Sequence, residues 1–368
     1  MKIFIVAGEA SGDLHAANLL EALRPQSPGL EASGVGGERL RAAGLDCVAG
    51  SEELSVMGLA EVVKHLPRLW RLSRLVKRAA VAAGPAVAVL VDSPDFNLPL
   101  ARVLRSRGIP VVVYVSPQVW AWRRGRVRRI RRDVRRVLCI LPFETAFYEA
   151  HGVAAEYVGH PLVDELAPIA AEPRERANVL ALMPGSRRHE VATLLPAMAE
   201  AARRLQARDP GLAVKLIGAP GLDPAWISSL LGALSGSISM VTSERHRVLR
   251  SCRAALVASG TATLECALLD VPMVVGYRLA PLSYLLARRL VHVPHVALVN
   301  LVAGRRVVEE LVQDDFTADR LVAAVEPLLG AAWDDVRRGL AEVRALLGGP
   351  GASERAARAV LRVAGGEV

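Results

Sequence analysis

Short runs of Val, Ile and Leu alternate along this chain with longer stretches in which apolar residues recur every three or four positions. That alternation is the signature of parallel α/β units, whose strands are covered on both faces and so read as continuous apolar runs. It predicts strands at 2–7, 31–35, 87–92, 110–115, 137–141 and 155–158, then at 178–182, 213–217, 238–241, 254–258 and 272–276. Pro142 and Gly152 mark the start and end of a helix, following the usual asymmetry of helix ends. Residues 160–177 hold Pro161, Pro168 and Pro173 without strong periodicity and read as a linker. The expectation is therefore an α/β protein with two doubly wound parallel sheets, residues 1–165 and 166–368, and a helical C-terminus after residue 317.

At 368 residues, two domains is also what length predicts. Just over half the residues are apolar but only 4% are aromatic, so Ala, Val and Leu must fill the cores. This apolar content excludes disorder. The longest uncharged stretches, 79–91 and 108–122, are shorter than a bilayer requires and contain Pro, which argues against a membrane span. Lys2 is followed by too short an apolar run for a signal peptide. Cys47, Cys139, Cys252 and Cys266 form neither a disulfide framework nor a metal-ligand spacing, so a reduced, cytosolic protein is expected.

Charge changes the picture more than composition does. The net charge is +9, and residues 123–136 alone hold nine Arg against one Asp, which leaves the other 354 residues at +1. Val127, Ile130, Val134 and Val137 recur at helical spacing within this segment. A second basic amphipathic stretch, 66–83, sets Leu66, Leu69, Leu72 and Val76 against Arg68, Trp70, Arg71, Arg74, Lys77 and Arg78. Such helices suit an anionic membrane surface, with Arg123, Arg124, Arg126, Arg128, Arg129 and Trp70 as the contacting residues. Nucleic acid is the rival partner for a Lys/Arg cluster. It ranks lower here, because Trp120 and Trp122 are the only aromatic residues near these arginines. The remaining alternative is a solvated face over an ordinary core.

In open parallel sheets ligands bind beyond the carboxyl ends of the strands, at the point where strand order reverses. Five strand-end loops stand out. Gly8-Glu9-Ala10-Ser11-Gly12-Asp13 leads into a helix but lacks the dinucleotide-binding glycine spacing, and Gly34-Val35-Gly36-Gly37 is a weaker fragment of the same kind. Asp92-Ser93-Pro94-Asp95-Phe96-Asn97 offers two carboxylates, one to cap a helix and one to act as a base. Pro184-Gly185-Ser186-Arg187 combines backbone N–H donors with a guanidinium, which suits a diphosphate. In Ser259-Gly260-Thr261-Ala262-Thr263-Leu264-Glu265, hydroxyls and N–H groups suit phosphate, and Glu265 suits ribose hydroxyls. Helix capping explains each loop alone, but two such loops in one half favour a nucleotide. His160 is expected to be structural, and Asn300 says little by itself. The absence of a Walker motif, of H-E-x-x-H and of D-x-D favours chemistry without a metal or other cofactor.

Taken together and in order, these loops resemble the lipid-A-disaccharide synthase family. The matching stretches are Val6–Asp13, Gly34–Gly37, Val56-Met57-Gly58, Asp92–Asn97, Ser116-Pro-Gln-Val-Trp-Ala-Trp122, Leu141-Pro-Phe-Glu144, Gly159-His160, Pro184–Arg187 with Glu190-Val191, Ser259–Thr261 with Leu264-Glu265, and Asn300-Leu301 with Ala303-Gly304. One departure is visible, Leu298-Val299-Asn300 where the family pattern has Leu-Pro-Asn. The resemblance implies a GT-B glycosyltransferase that joins UDP-2,3-diacylglucosamine to 2,3-diacylglucosamine 1-phosphate (lipid X) with inversion, giving lipid A disaccharide 1-phosphate and UDP. It implies a base in the first half, expected to be Asp95 with Asp92 as runner-up and Glu9 nearby, and acceptor contacts from Ser11, Gly12, Asn97 and Met57. In the second half it implies UDP contacts from Gly185, Ser186, Arg187, Gly260, Thr261, Glu265 and Asn300. A peripheral location on the inner face of the cytoplasmic membrane, and a homodimer, are further implications. Another UDP-sugar enzyme of the same fold, including a UDP-N-acetylglucosamine epimerase, is the alternative.

Overall fold

The computed structural model describes residues 1–54, 59–219, 221–280, 284, 291, 293–330 and 333–366. The chain divides into two compact units, Met1–Pro161 with Pro350–Val368, and Leu162–Gly349. The second boundary differs from the expected one, because the last helix packs on the first unit.

The first unit is a seven-stranded parallel sheet in the order β3-β2-β1-β4-β5-β6-β7. Its strands are β1 (Lys2–Ala7), β2 (Glu31–Gly36), β3 (Asp46–Gly50), β4 (Val87–Val91), β5 (Val111–Tyr114), β6 (Arg136–Cys139) and β7 (Ala155–Tyr157). Its helices are α1 (Ala10–Leu23), α2 (Glu38–Ala42), α3 (Leu59–Ala83), α4 (Pro94–Ser106), α5 (Val127–Asp133) and α6 (Pro142–Glu149), with α7 (Pro161–Ala171) starting at the boundary.

The period of two in a strand sends alternate residues to opposite cores, which is why Val87–Val91 must be apolar throughout. Val87, Val89 and Val91 join Ala16, Leu19 and Leu20 of α1 on one face. Ala88 and Leu90 join Leu72 and Val76 of α3, Leu98 and Leu104 of α4, and Ile130 of α5 on the other. The C-terminal helix, Ala352–Ala364, lies beside α1 and buries Ala356, Ala359 and Val360 in the first of these cores. Gly34 has φ +148°, and a Cβ there would collide with the carbonyl oxygen of Ile5. Gly34, within β2, therefore serves strand packing.

The second unit is a six-stranded parallel sheet, β10-β9-β8-β11-β12-β13. Its strands are β8 (Val179–Met183), β9 (Ala213–Ile217), β10 (Ile238–Val241), β11 (Ala254–Ala258), β12 (Met273–Tyr277) and β13 (Glu309–Val312). Its helices are α8 (Arg188–Arg208), α9 (Pro224–Leu231), α10 (Arg245–Ser251), α11 (Ala262–Leu268), α12 (Leu298–Ala303), α13 (Ala318–Leu329) and α14 (Trp333–Leu347), and the C-terminal helix is α15. In both sheets the strand order reverses after the first strand, between β1 and β4 and between β8 and β11.

Three expectations fail locally. Residues 161–171 form α7 rather than a linker, since Pro at a first helical position is compatible with helix. The basic segment is α-helical only over Val127–Asp133, after a 3-10 turn at Arg124–Arg126; Val134 is its extended C-cap and Val137 belongs to β6. Strands β3 and β13, with sequences DCVAG and EELV, lack the Val-rich signal and are not among the expected strands; both lie at sheet edges, where burial on both faces is not required.

Candidate functional site

Each switch point carries two of the loops singled out by sequence. In the first unit these follow β1 and β4. Glu9 is the exposed N-cap of α1 and Ser11 is exposed in its first turn, whereas Gly12 is buried, its Cα side facing Val91 of β4. Gly12, expected at the acceptor, is thus a packing residue that lets the helix approach the strand. Asp13 is also turned inward, and its carboxylate accepts from the backbone N–H groups of Gly37 (2.6 Å) and Arg39 (3.0 Å), fixing the start of α2. Met57 lies outside the described residues.

After β4 the backbone turns through two consecutive left-handed residues, Asp92 (φ 49°) and Ser93 (φ 43°), before Pro94 opens α4. Non-glycine residues in this region cost about 1–3 kcal/mol each, so the turn must be held from outside. Asn97 supplies the hold: its Nδ2 donates to the carbonyls of Val91 (3.2 Å) and Asp92 (2.7 Å). Asn97 is buried, with its Nδ2 bracing the Asp92 turn. A Cβ on Gly8 would lie 2.7 Å from the Ser93 hydroxyl, so glycine there leaves the turn its room.

The two aspartates of this turn sit in opposite environments. Asp92 is half-buried; burial, and then the neighbouring Glu9 charge, push its carboxyl above the ordinary Asp range, outweighing the Ser93 N–H. Asp95 is exposed and ion-paired with Arg126, and Arg123 Nη1 lies 3.5 Å from the same oxygen. Sequence reasoning placed these two arginines on a lipid surface and missed their contact with Asp95, which is separated from Arg126 by 31 positions.

The remaining basic residues are presented outward. Arg124, Arg128 and Arg129 are exposed, as are Trp70, Leu75 and Trp122. Arg74 and Arg123 stack over the Trp70 and Trp122 rings, each 4.4 Å from the centroid. Val127 and Ile130 are buried, so the apolar stripe of α5 belongs to the core and the outer face is cationic.

In the second unit the loops after β8 and β11 flank the switch point. Gly185 (φ 113°) bends the chain so that Ser186 and Arg187 are exposed at the start of α8. Glu190 reaches back to the Arg187 backbone N–H (3.3 Å) and guanidinium (3.0 Å). Gly260 (φ 147°) occupies a conformation that side chains rarely adopt, Thr261 is exposed, and Thr263 donates to the Gly260 carbonyl (2.8 Å).

Two expected nucleotide ligands prove to be committed elsewhere. Asn300 is fully buried: its Oδ1 accepts from Val307 N (2.7 Å) and Val308 N (3.0 Å), and its Nδ2 donates to Val308 O (3.0 Å) and Glu310 (2.7 Å). An amide has no further capacity, so Asn300 organises its loop and leaves no group for a nucleotide. The same Glu310 carboxylate accepts from Val296 N and Ala297 N, while Ser259 donates to Val296 O (2.6 Å). Those bonds tie the 295–300 loop to the Gly260 loop. Glu265 is largely buried, with Oε2 2.6 Å from Arg245 Nη2 and 3.4 Å from His246 Nε2. Burial pushes its carboxyl up, but His246 and Arg245 prevail and hold it below the ordinary Glu range. It is an ionised carboxylate anchored to α10, with Oε2 already in use. His160 is buried, and burial together with His15 lowers its pKa to about 3, consistent with a structural residue.

Among the described residues no helix is long and apolar enough to cross a membrane. The model of the lipid-A-disaccharide synthetase family matches residues 3–338. The chain is 50% identical to the lipid-A-disaccharide synthase of Anaeromyxobacter sp. (strain K) over 98% of this chain and 97% of that one, and 46% identical to that of Myxococcus xanthus with the same coverage. Its fold is similar to UDP-GlcNAc 2-epimerase from Neisseria meningitidis bound to UDP-GlcNAc (TM-score 0.68, 9% identity, 98% and 100% coverage). It is also similar to the calicheamicin glycosyltransferase CalG4 (TM-score 0.65, 21% identity, 98% of each chain). These likenesses give a GT-B fold that glycosyltransferases and epimerases share; sequence identity over nearly the whole length separates them, and the chain belongs to the lipid-A-disaccharide synthase family.

Proposed function

We propose that this protein transfers the sugar of UDP-2,3-diacylglucosamine to the 6-hydroxyl of 2,3-diacylglucosamine 1-phosphate, forming the β-1,6 disaccharide 1-phosphate and UDP with inversion and without a metal. The observation that carries this is 50% identity to a lipid-A-disaccharide synthase across nearly all of both chains. Incubation with both acylated substrates tests it, with product identified by mass spectrometry. Turnover of UDP-N-acetylglucosamine to its epimer, and none of the acylated donor, would overturn it.

In this reading the base is Asp92 rather than Asp95. The acceptor hydroxyl gives its proton to the Asp92 carboxylate as its oxygen bonds to the anomeric carbon, and the bond from that carbon to the diphosphate breaks. A raised pKa favours proton acceptance, and the bracing by Asn97 keeps the carboxylate in place. Asp95, ion-paired with Arg126 and beside Arg123, serves in this reading as an anchor for those arginines.

The second unit supplies the nucleotide site in this reading. Ser186, Arg187 and the backbone N–H groups near Gly185, Gly260 and Thr261 stabilise the departing diphosphate, each good donor contributing roughly 3–4 kcal/mol. Arg187→Ala is expected to weaken UDP binding at least tenfold by calorimetric titration, and unchanged affinity would remove it from the site.

The substrates carry acyl chains, so we also place the first unit's exposed tryptophans and arginines against an anionic membrane, on its cytoplasmic face. Each basic residue near such a surface contributes about 1 kcal/mol. Co-sedimentation with vesicles should rise with anionic lipid and fall with salt. The homodimer implied by the family is tested by sedimentation.

A further inference from the structure

The motifs Ser116–Trp122 and Leu141–Glu144 have no role in the reaction as described so far, yet the structure joins them. Glu144, in the first turn of α6, is a buried acid, 1% exposed. Its Oε1 accepts from the Trp120 indole N–H (2.9 Å) and its Oε2 from the Leu141 backbone N–H (3.1 Å). Among the described residues no cation pairs with it. Burial pushes its pKa up to about 7 in spite of the donors around it, and its titratable neighbours Cys139, Tyr148 and Tyr157 are themselves pushed upward by burial.

A buried carboxylate without a cation is costly, so its position calls for a gain elsewhere. The gain is a fixed loop. Val115, a β-branched residue, stands at φ 61° where the loop leaves β5. Three contacts then hold the loop on α6: Trp120 to Glu144, the Tyr148 hydroxyl donating to Pro117 O (3.0 Å), and the Trp120 ring edge-on against Phe143 with centroids 4.9 Å apart. Beyond the loop come Trp122 and Arg123, and Arg123 and Arg126 meet Asp95 in the first turn of α4. The start of α4 is the Asp92 turn itself.

We propose that Glu144 is a positioning residue for acceptor activation, setting the 116–123 loop and, through Arg123 and Arg126, the Asp95 end of the Asp92 turn. The inference rests on the reading that Asp92 is the base. Glu144→Gln keeps the size of the side chain but turns an NH₂ group towards one of the two N–H donors. Acceptor turnover should fall about tenfold or more, while UDP affinity stays at the wild-type value because the nucleotide loops lie in the other unit. Asp95→Asn should lower turnover too, and if Glu144 acts through Asp95 the double variant should be no slower than the worse single variant. Independent losses would multiply. Trp120→Phe, which removes the same bond from the loop side and keeps the buried carboxylate, should reproduce the Glu144→Gln phenotype, and it serves in its place if that variant does not fold. Wild-type turnover in Trp120→Phe and Glu144→Gln, or multiplicative losses in the double variant, overturns the proposal. Asp92→Asn assayed in parallel keeps the two readings apart, since full activity there defeats the base assignment regardless of what Glu144 does.

Discussion

Two aspartates in this protein share a backbone conformation and little else. Asp92 (φ 49°) follows β4 at the carboxyl edge of the first sheet; Asp270 (φ 60°) follows α11 and precedes β12, at the amino edge of the second. Around Asp270 stand four guanidiniums: Arg174 (3.0 Å), Arg176 (3.3 Å), Arg337 (2.5 Å) and Arg344 (3.2 Å). Burial pushes the Asp270 carboxyl up, but Arg337, Arg344 and Arg174 outweigh it and hold it below the ordinary Asp range. Arg174 and Arg344 also donate to Asp270 O and Ala267 O, satisfying carbonyls at the end of α11. Asp92 has a carboxylate neighbour instead, and its shift has the opposite sign. The same strained conformation is thus used once to fasten a helix to its surroundings and once to hold an acid in an unfavourable charge environment. Only the second arrangement keeps proton affinity available for chemistry.

The strongest way to break this comparison is to neutralise each residue. Asp92→Asn should reduce kcat by about 10²–10⁴, the usual contribution of a positioned base, with UDP affinity intact. Its stability should not fall at neutral pH. A raised folded pKa means that stability present below the unfolded pKa of about 3.9 is lost as pH rises through the folded value, and Asn removes that loss. Asp270→Ala should do the reverse. Leaving four arginines around an empty position should cost about 3–5 kcal/mol, read as a lower melting temperature, with turnover preserved at temperatures where the protein is folded. Because the Asp270 pKa is lowered, its contribution is present above the unfolded value and lost as pH falls through the folded one, so the wild type and Asp270→Ala should converge in stability in acid. An Asp92→Asn variant that melts early but turns over normally would reverse the two roles.

The order of strands and loops was legible in the sequence because parallel strands buried on both faces must be apolar at every position, as Val87–Val91 and Ala254–Ala258 are. Edge strands β3 and β13 escape that constraint and were invisible. At the site, local spacing found the loops that follow the switch-point strands but not which member of each loop faces outward. Asp92 and Asp95 are distinguished by Glu9 and Arg126, far away in sequence, and Asn300 is consumed by backbone groups at 307 and 308. Glu144 and Trp120, 24 positions apart, carry no local signal that they touch. Side-chain direction depends on tertiary partners, and a periodicity cannot report them.

The smallest effect sharpens the comparison most, because it changes the charge beside Asp92 without altering the residue itself. Glu9 is exposed and its backbone carbonyl, not its side chain, bonds within α1, so Glu9→Gln should leave folding untouched. Removing a negative neighbour makes ionised Asp92 easier to form, which lowers its pKa. The acid limb of kcat/KM should therefore move to lower pH by a few tenths of a unit to about one unit, a difference worth at most ~1.4 kcal/mol. Below the wild-type limb the variant should be the faster enzyme; well above it, where Asp92 is already ionised, it should be slightly slower, since a weaker base accepts the acceptor proton less readily. A limb that stays in place in Glu9→Gln but disappears in Asp95→Asn would show that the titrating group is the arginine-paired aspartate, and would move the base to Asp95.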